Sequence, residues 1–146
     1  MHLPHNSFVL VADGKKSLFF RNEGDAEFLN LIVEREQDHP DAKDREIKTG
    51  APGRTFASVG AGRSAYQETD FHQQAEDRFA AGTAGMLTAW ALENEADKLV
   101  VVAPPRTLGE LRKHYPRHFE KRLLAELAKD LVNTPVAEIE KILRDA

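Results

Sequence analysis

The chain of 146 residues contains no cysteine. Disulfides, zinc–thiolate sites and thiol nucleophiles are therefore excluded, and the composition fits a reducing compartment. No apolar run approaches the ~20 residues that a membrane helix needs. The opening residues, MHLPHN, also lack the basic stretch and apolar core of a signal peptide. We therefore expect a cytoplasmic protein without a membrane partner.

An overall excess of positive charge is also absent, since the formal net charge is −4. General charge attraction to DNA is therefore not expected, and any contact with a polyanion has to come from a local patch. Hydrophobic residues make up 41% and charged residues 30% of the chain, a composition typical of globular proteins. The length is that of one domain, and we predict a single domain over residues 1–146.

Three apolar segments near the start are separated by tight-turn residues. Ser7–Asp13 reads as a buried strand that ends in the turn dipeptide Asp13-Gly14. Ser17–Arg21 is its predicted partner, and after a turn at Asn22–Asp25 the segment Glu27–Glu36 alternates as a third strand. Short turns between strands predict an antiparallel three-strand meander.

A long polar segment precedes the main helix. No apolar period appears from Gln37 to Thr69, and we predict a long glycine-rich loop over residues 36–69. Asp70 is the predicted cap of a helix that extends to Asn94, with Gln73 in the capping-box position. The predicted apolar face of this helix consists of Ala75, Phe79, Met86 and Trp90.

In the last third of the chain, the sequence pattern predicts another strand and two helices. Lys98–Ala103 is β-branched and apolar, and a helix followed by a buried strand indicates a crossover and a mixed sheet. Thr107 is the predicted cap of a short helix, and Arg122–Leu131 is ambiguous, although propensity alone favours helix. Thr134-Pro135 starts a final helix, whose predicted inward side chains are Val136, Ile139, Ile142 and Leu143.

Several stretches, in unbroken order along the chain, resemble the bacterial family of proteins required for attachment to host cells. They are Val11–Gly14, Gly53–Ser58, Gly60–Arg63 with Tyr66, the helical residues His72, Glu76 and Phe79, Val101–Pro104, Thr107–Arg112 and Glu126–Leu131. That family looks like the central domain of archaeal and eukaryotic class-one release factors and of Pelota.

The resemblance implies an α/β domain with an RNase H-like mixed sheet, helices packed on it and a long loop before the main helix. It also implies that Arg122–Ala128 is the last strand, against propensity. In release factors the loop carries Gly-Gly-Gln, which acts on peptidyl-tRNA, whereas this chain has Gly60-Ala61-Gly62-Arg63. That difference argues against peptidyl-tRNA hydrolysis.

The long loop contains the strongest candidate for a binding site. Residues 47–67 contain no acidic side chain, and four glycines fall there. Converging backbone N–H groups and arginine forks bind phosphate. The predicted binding residues are Lys48, Arg54, Gly60, Gly62, Arg63 and Tyr66. The alternative is a surface loop whose arginines pair with Asp38, Asp41 and Asp44.

A second basic run extends from Arg106 to Arg122. We predict a secondary basic patch there, with Tyr115 as a stacking face and His114 and His118 as further donors. The patch consists of Arg106, Arg112, Lys113 and Arg117. The alternative is the solvated face of a short helix.

Catalytic residues are weakly indicated. Asp13 with Asp70 or Glu76 could hold Mg²⁺ as in RNase H-type nucleases, although Asp13 also fits a simple turn. His72 and Glu76 lie four residues apart, and Ser58 or Ser64 with His72 lacks any nucleophile-elbow pattern. We predict neither a cofactor nor a resident metal, and we favour a protein without catalytic activity over an enzyme.

Three functions stay open. The first is a non-catalytic RNA- or ribosome-binding module that uses the cationic glycine loop, with the ribosome or tRNA as partner and no DNA partner. The second is a tRNA-ester or phosphodiester hydrolase on the same scaffold. The third is a cytoplasmic factor that acts indirectly in host attachment.

Overall fold

The computed structural model describes residues 1–38 and 65–146, with the backbone alone described for residues 65–69. This part of the chain contains five strands and four helices, and it opens with three strands in succession. In chain order they are β1 (Phe8–Ala12), β2 (Lys16–Asn22), β3 (Leu31–Asp38), α1 (Ala65–Glu93), β4 (Leu99–Ala103), α2 (Pro105–Arg112), α3 (Phe119–Arg122), β5 (Leu123–Ala128) and α4 (Val136–Asp145).

The strands form one mixed sheet in the order β3-β2-β1-β4-β5. β1, β2 and β3 pair antiparallel, which confirms the predicted meander. β4 pairs parallel with β1, and β5 pairs parallel with β4. Parallel neighbours need a crossover connection, and α1 lies in the connection between the meander and β4.

Helices cover both faces of the sheet, and β1 is buried on both sides. Phe8, Leu10 and Ala12 face α1 and α2, whereas Val9 and Val11 face α4. Trp90 of α1 lies in the core between the sheet and α1. The centroid of its ring is 4.5 Å from that of Phe8 and 5.3 Å from that of Phe19, and both contacts are edge to face. A strand between two cores has no polar face, which explains the unbroken apolar run of β1.

The third strand begins later than predicted. Residues 27–30 belong to a turn, in which the Asp25 carboxylate accepts the N–H groups of Glu27 (3.0 Å) and Phe28 (2.8 Å). Phe28 is therefore 69% exposed, and its apparent place in a strand alternation was misleading.

The predicted caps of two helices are wrong. α1 already includes Ala65, so Asp70 lies inside the helix, and Gln73 Nε2 donates to Asp77 Oδ1 (2.8 Å) instead of closing a capping box. α2 begins at Pro105 with Pro104 as its cap and no side-chain cap bond, so Thr107 lies within the helix. Proline fixes φ near the helical value, so the proline pair starts the helix without a hydroxyl cap.

The final helix differs in two details. Pro135 is the cap of α4 rather than its first residue. Ile139 and Leu143 are buried as predicted, while Val136 is 37% exposed because it lies at the end of the helix.

β5 confirms the strand that the resemblance implied and that propensity opposed. Val102 of β4 pairs with Leu127 of β5 in the parallel register. Pairing with a fully buried strand outweighs the helical preference of leucine, alanine and glutamate. Within the described ranges, no helix is both long and apolar enough to cross a membrane.

Candidate functional site

The secondary basic patch lies on a segment that runs back along the sheet from one end of β4 to the other. α2 follows the last residue of β4 almost directly, and α3 ends where β5 begins, with Leu123 paired to Leu99, the first residue of β4. Leu108, Leu111 and Phe119 anchor this segment in the core below α1. Most of its charged side chains are therefore left on the outer surface, whereas Arg122 is half-buried and its Nη1 has no hydrogen-bond partner among the described residues.

Two cations of this patch are paired with carboxylates. Arg112 Nε donates to both carboxylate oxygens of Glu126, at 3.1 and 3.2 Å. Lys113 Nζ lies 2.7 Å from Glu110 Oε1, and this hydrogen bond, followed by the charge of Glu110, raises the pKa of Lys113. Asp77 of α1 raises it further, whereas the charge of Arg106 opposes the shift. The positive charge of Arg112 and Lys113 is thus partly offset.

The other two cations of the patch lack such partners among the described side chains. Arg106 and Arg117 are exposed, and neither forms an ion pair with any residue that the structure describes. Exposed guanidinium groups without a carboxylate partner are available for bidentate contact with phosphate. The structure therefore separates the four predicted residues into a paired half and a free half.

Tyr115 does not offer a free ring face. It is half-buried, its ring packs on Phe119 at 5.6 Å, and its hydroxyl donates to Glu126 Oε2 at 3.2 Å. Burial, then the charge of Glu126 and this hydrogen bond, raise the pKa of Tyr115 above its usual value of about 10. The tyrosine therefore helps to fix Glu126 beside Arg112.

Asp13 has a structural role in the turn between β1 and β2. Its Oδ1 accepts the N–H groups of Lys15 and Lys16, both at 2.7 Å. A side chain at Gly14 would place its Cβ 2.9 Å from Glu76, so the Glu76 side chain lies directly against this turn. Two of the weak catalytic candidates are thus neighbours at the carboxyl end of β1.

The third weak candidate, His72, is exposed on α1 one helical turn before Glu76, and Asp70 is also exposed. Among residues 1–38 and 65–146, no three histidine, aspartate or glutamate side chains are grouped so that they could hold a metal ion. The two-Mg²⁺ arrangement of RNase H-type nucleases is therefore not assembled by the described side chains alone.

The main predicted binding loop lies outside the described residues. This applies to Lys48, Arg54, Gly60, Gly62 and Arg63, to Ser58 and Ser64, and to the alternative partners Asp41 and Asp44. Tyr66 lies in the first turn of α1, and its side chain is not among those described. Their role stays a prediction from the sequence.

Sequence reasoning missed the carboxylates that pair with the patch. Glu110 and Lys113 lie three residues apart on α2, a spacing that brings side chains together on a helix and was readable from the sequence. Glu126 comes from β5, so only the fold brings it to Arg112. Reasoning from the sequence also missed a cavity at the amino ends of β1 and β4, because four separate segments line it.

One comparison with known proteins gives a result. The model of the family described as bacterial archaeo-eukaryotic release factor family 12 matches residues 6–143. No curated protein matches the chain significantly. The match confirms the predicted likeness to release factors, and it does not extend to host attachment.

Proposed function

The chain belongs to the bacterial archaeo-eukaryotic release factor family 12, and we propose that it is an RNA- or ribosome-binding module without catalysis of its own. The family name places its relatives among factors of translation. The observation that carries the proposal for this chain is a pair of exposed arginines, Arg106 and Arg117, on the surface formed by residues 105–122, neither of which has an ion-pair partner in the described part of the chain.

The charge of this surface opposes that of the whole chain. Residues 106–122 contain six lysines and arginines against Glu110 and Glu120, a net charge of 6 − 2 = +4. The chain as a whole carries −4, so the remaining residues carry −4 − 4 = −8. Residues 106–122 thus form a local cationic strip on an otherwise acidic protein. Such a strip favours one orientation of the protein toward a polyanion and disfavours non-specific adhesion to it.

The same surface favours contact with phosphates over contact with bases. The arginines offer forked donors that match phosphate oxygens. Sequence-specific RNA readers instead stack unpaired bases on open aromatic faces, and the Tyr115 ring is packed against Phe119. We therefore expect binding that depends strongly on salt and weakly on nucleotide sequence.

The glycine loop remains part of the proposal as its predicted second contact. Lys48, Arg54 and Arg63 carry charge of the same sign as the strip. The hydrolase alternative needs a base or a metal cluster. Asp13 Oδ1 accepts the backbone N–H groups of Lys15 and Lys16 in the turn between β1 and β2, and this structural role weakens that alternative.

The proposal is tested by equilibrium binding of a fluorescent structured RNA to wild-type protein and to two double variants. Arg106→Ala/Arg117→Ala removes the free arginines. Lys141→Ala/Arg144→Ala removes the same charge from exposed positions of α4 and serves as the matched control. Because each phosphate contact is worth a measurable part of the affinity, we expect at least a tenfold loss for the first variant and less than a threefold loss for the second.

Equal losses in the two variants would show that binding follows net charge rather than this surface. Unchanged binding by Arg106→Ala/Arg117→Ala would remove the surface from the proposal and leave the glycine loop as its only contact. No binding of wild-type protein to RNA at low salt would contradict the proposal as a whole.

A further inference from the structure

A cavity of about 630 Å³ lies at the amino ends of β1 and β4. This volume is within the range of about 300–1,000 Å³ that is usual for small-molecule sites. Residues 4–8, Arg21, residues 94–95 and residues 97–98 line it. The proposed RNA surface uses none of these residues, so an inference from the cavity does not depend on that proposal.

Two side chains at the cavity are held so that an acceptor remains free. His5 Nδ1 lies 2.8 Å from the carbonyl oxygen of Gly24 and 3.1 Å from that of Glu23, so Nδ1 has to be the donor. In a neutral ring, Nε2 is then the acceptor. Asn94 Nδ2 donates to the carbonyl oxygen of Trp90 (2.8 Å), and its Oδ1 has no partner within the described part of the chain.

Two others are held so that donors remain free. Arg21 Nη1 donates to Asn6 Oδ1 (3.1 Å), and Arg21 Nε donates to Glu34 Oε2 (3.1 Å), while Nη2 pairs with Glu23. These bonds fix the guanidinium and use three of its five donors. The side-chain nitrogen of Asn6, Nδ2, has no partner among the residues described. Polar groups oriented in this way by a second layer of hydrogen bonds form a prepared binding surface.

Charges of both signs complete the lining. Lys98, Glu95 and Asp97 are exposed, and none of them forms an ion pair with another described residue. An anion alone would meet two carboxylates, and a cation alone would meet Lys98 and Arg21. A ligand that carries both charges avoids either repulsion and uses both sets of groups.

We infer that this cavity binds a small zwitterion of the class of α-amino acids and short peptides. The ligand carboxylate is received by Lys98, Asn6 Nδ2 and the spare donors of Arg21. The ligand ammonium group is received by Glu95, Asp97 and the free Asn94 Oδ1. Because the lining carries groups of both signs, the site prefers a molecule with both termini charged over one with a single charge.

The backbone offers a clean way to test the site. Asn6 (φ 66°) and Glu95 (φ 51°) are the two described non-glycine residues with positive φ. Glycine adopts this conformation without strain, so Asn6→Gly/Glu95→Gly removes two lining side chains while the backbone is preserved. A matched control is Asn133→Gly/Glu27→Gly, which removes the same side-chain types from exposed positions that do not line the cavity.

The experiment is a chemical-shift titration of the full chain with L-alanine, propionate and ethylammonium. Propionate keeps only the carboxylate and ethylammonium only the ammonium group of alanine. We expect saturable shifts with alanine at amides of residues 5–8 and 94–98, and at least tenfold weaker binding of either analogue. The cavity variant should stay folded and bind alanine at least tenfold more weakly, and the control variant should bind like wild type.

Three results would overturn the inference. They are the absence of saturable shifts with alanine, equal binding of either single-charge analogue, and wild-type affinity in the cavity variant. The RNA titrations are read separately from these, so failure at the cavity and failure of the proposed function can be told apart.

Discussion

Asn22 is the buried polar side chain that holds the turn between β2 and β3. It is fully buried at the end of β2. Its Nδ2 donates to the carbonyl oxygens of Leu3 (3.0 Å), Pro4 (3.2 Å) and Asp25 (3.4 Å). Its Oδ1 accepts the N–H groups of Gly24 and Asn30, both at 3.0 Å. One amide thus satisfies backbone groups from both sides of the strand end.

Asn22→Asp should be strongly destabilising. The carboxylate would keep the acceptor but turn its second oxygen toward carbonyl oxygens, with a buried charge in addition. We expect the free energy of unfolding in urea at pH 7 to fall by about 2–4 kcal/mol. Asn30→Asp, an exposed position in the same turn, should change it by less than about 0.5 kcal/mol. Similar values for the two variants would contradict this role for Asn22.

Tyr115 gives a prediction for alkaline pH. Its pKa is raised in the folded state, so the unfolded chain loses the phenol proton first as pH rises above about 10. The stabilisation that depends on this proton is complete below that pH and is lost above it. Wild-type stability should therefore fall between pH 9 and 11 more steeply than that of Tyr115→Phe. Parallel curves for the two proteins in urea unfolding at these pH values would contradict this prediction.

At the scale of the elements, the sequence predicts best where a strand is buried on both faces. β1 (FVLVA) and β4 (LVVVA) are unbroken apolar runs that contain several valines, and both were predicted within about two residues. β5 could not be predicted from propensity, because its strand state depends on pairing with β4. The start of α1 was also missed, since residues 65–69 show no apolar period.

The packing of β2 on α1 includes a buried pair of hydroxyls. Ser17 Oγ and Thr83 Oγ1 lie 2.7 Å apart, and both residues are almost completely buried. Thr83→Val should cost about 1–2 kcal/mol of unfolding free energy because it leaves the Ser17 hydroxyl unsatisfied. Ser17→Ala should cost less, since a helical threonine can bond the carbonyl one turn earlier.

The double variant of this pair tests the contact itself. We expect Ser17→Ala/Thr83→Val to cost less than the sum of the single variants, with a coupling of about 1 kcal/mol in a double-mutant cycle. Strict additivity would show that the two hydroxyls do not stabilise each other.

At the scale of the whole molecule, the location of the basic patch was predictable from the sequence. Which of its four cations are paired with carboxylates was not. Arg106, Arg112, Lys113 and Arg117 look equivalent in the sequence. Tertiary structure brings Glu126 to Arg112, and the helical spacing brings Glu110 to Lys113, which leaves the other two free. The amino-end cavity was not predictable at all, because its lining residues are separated in the sequence by up to 94 positions (4 to 98).

The glycine loop is tested by its own double variant. Arg54→Ala/Arg63→Ala should leave the unfolding free energy within about 0.5 kcal/mol of wild type. It should weaken RNA association, because two predicted phosphate contacts are lost. If this variant binds RNA like wild type and Arg106→Ala/Arg117→Ala does not, the loop is not part of the binding surface.

Co-sedimentation of the wild-type protein with ribosomes through a salt series tests the central claim most directly. Neutralising each phosphate releases counterions, so the logarithm of the binding constant should fall linearly with the logarithm of salt concentration. We predict binding at 50 mM salt that declines with a slope of about −2 to −4, as expected for the two free arginines of the strip with further loop contacts. Absence of the protein from the ribosomal pellet at every salt concentration, or a bound fraction that does not change with salt, would contradict the account.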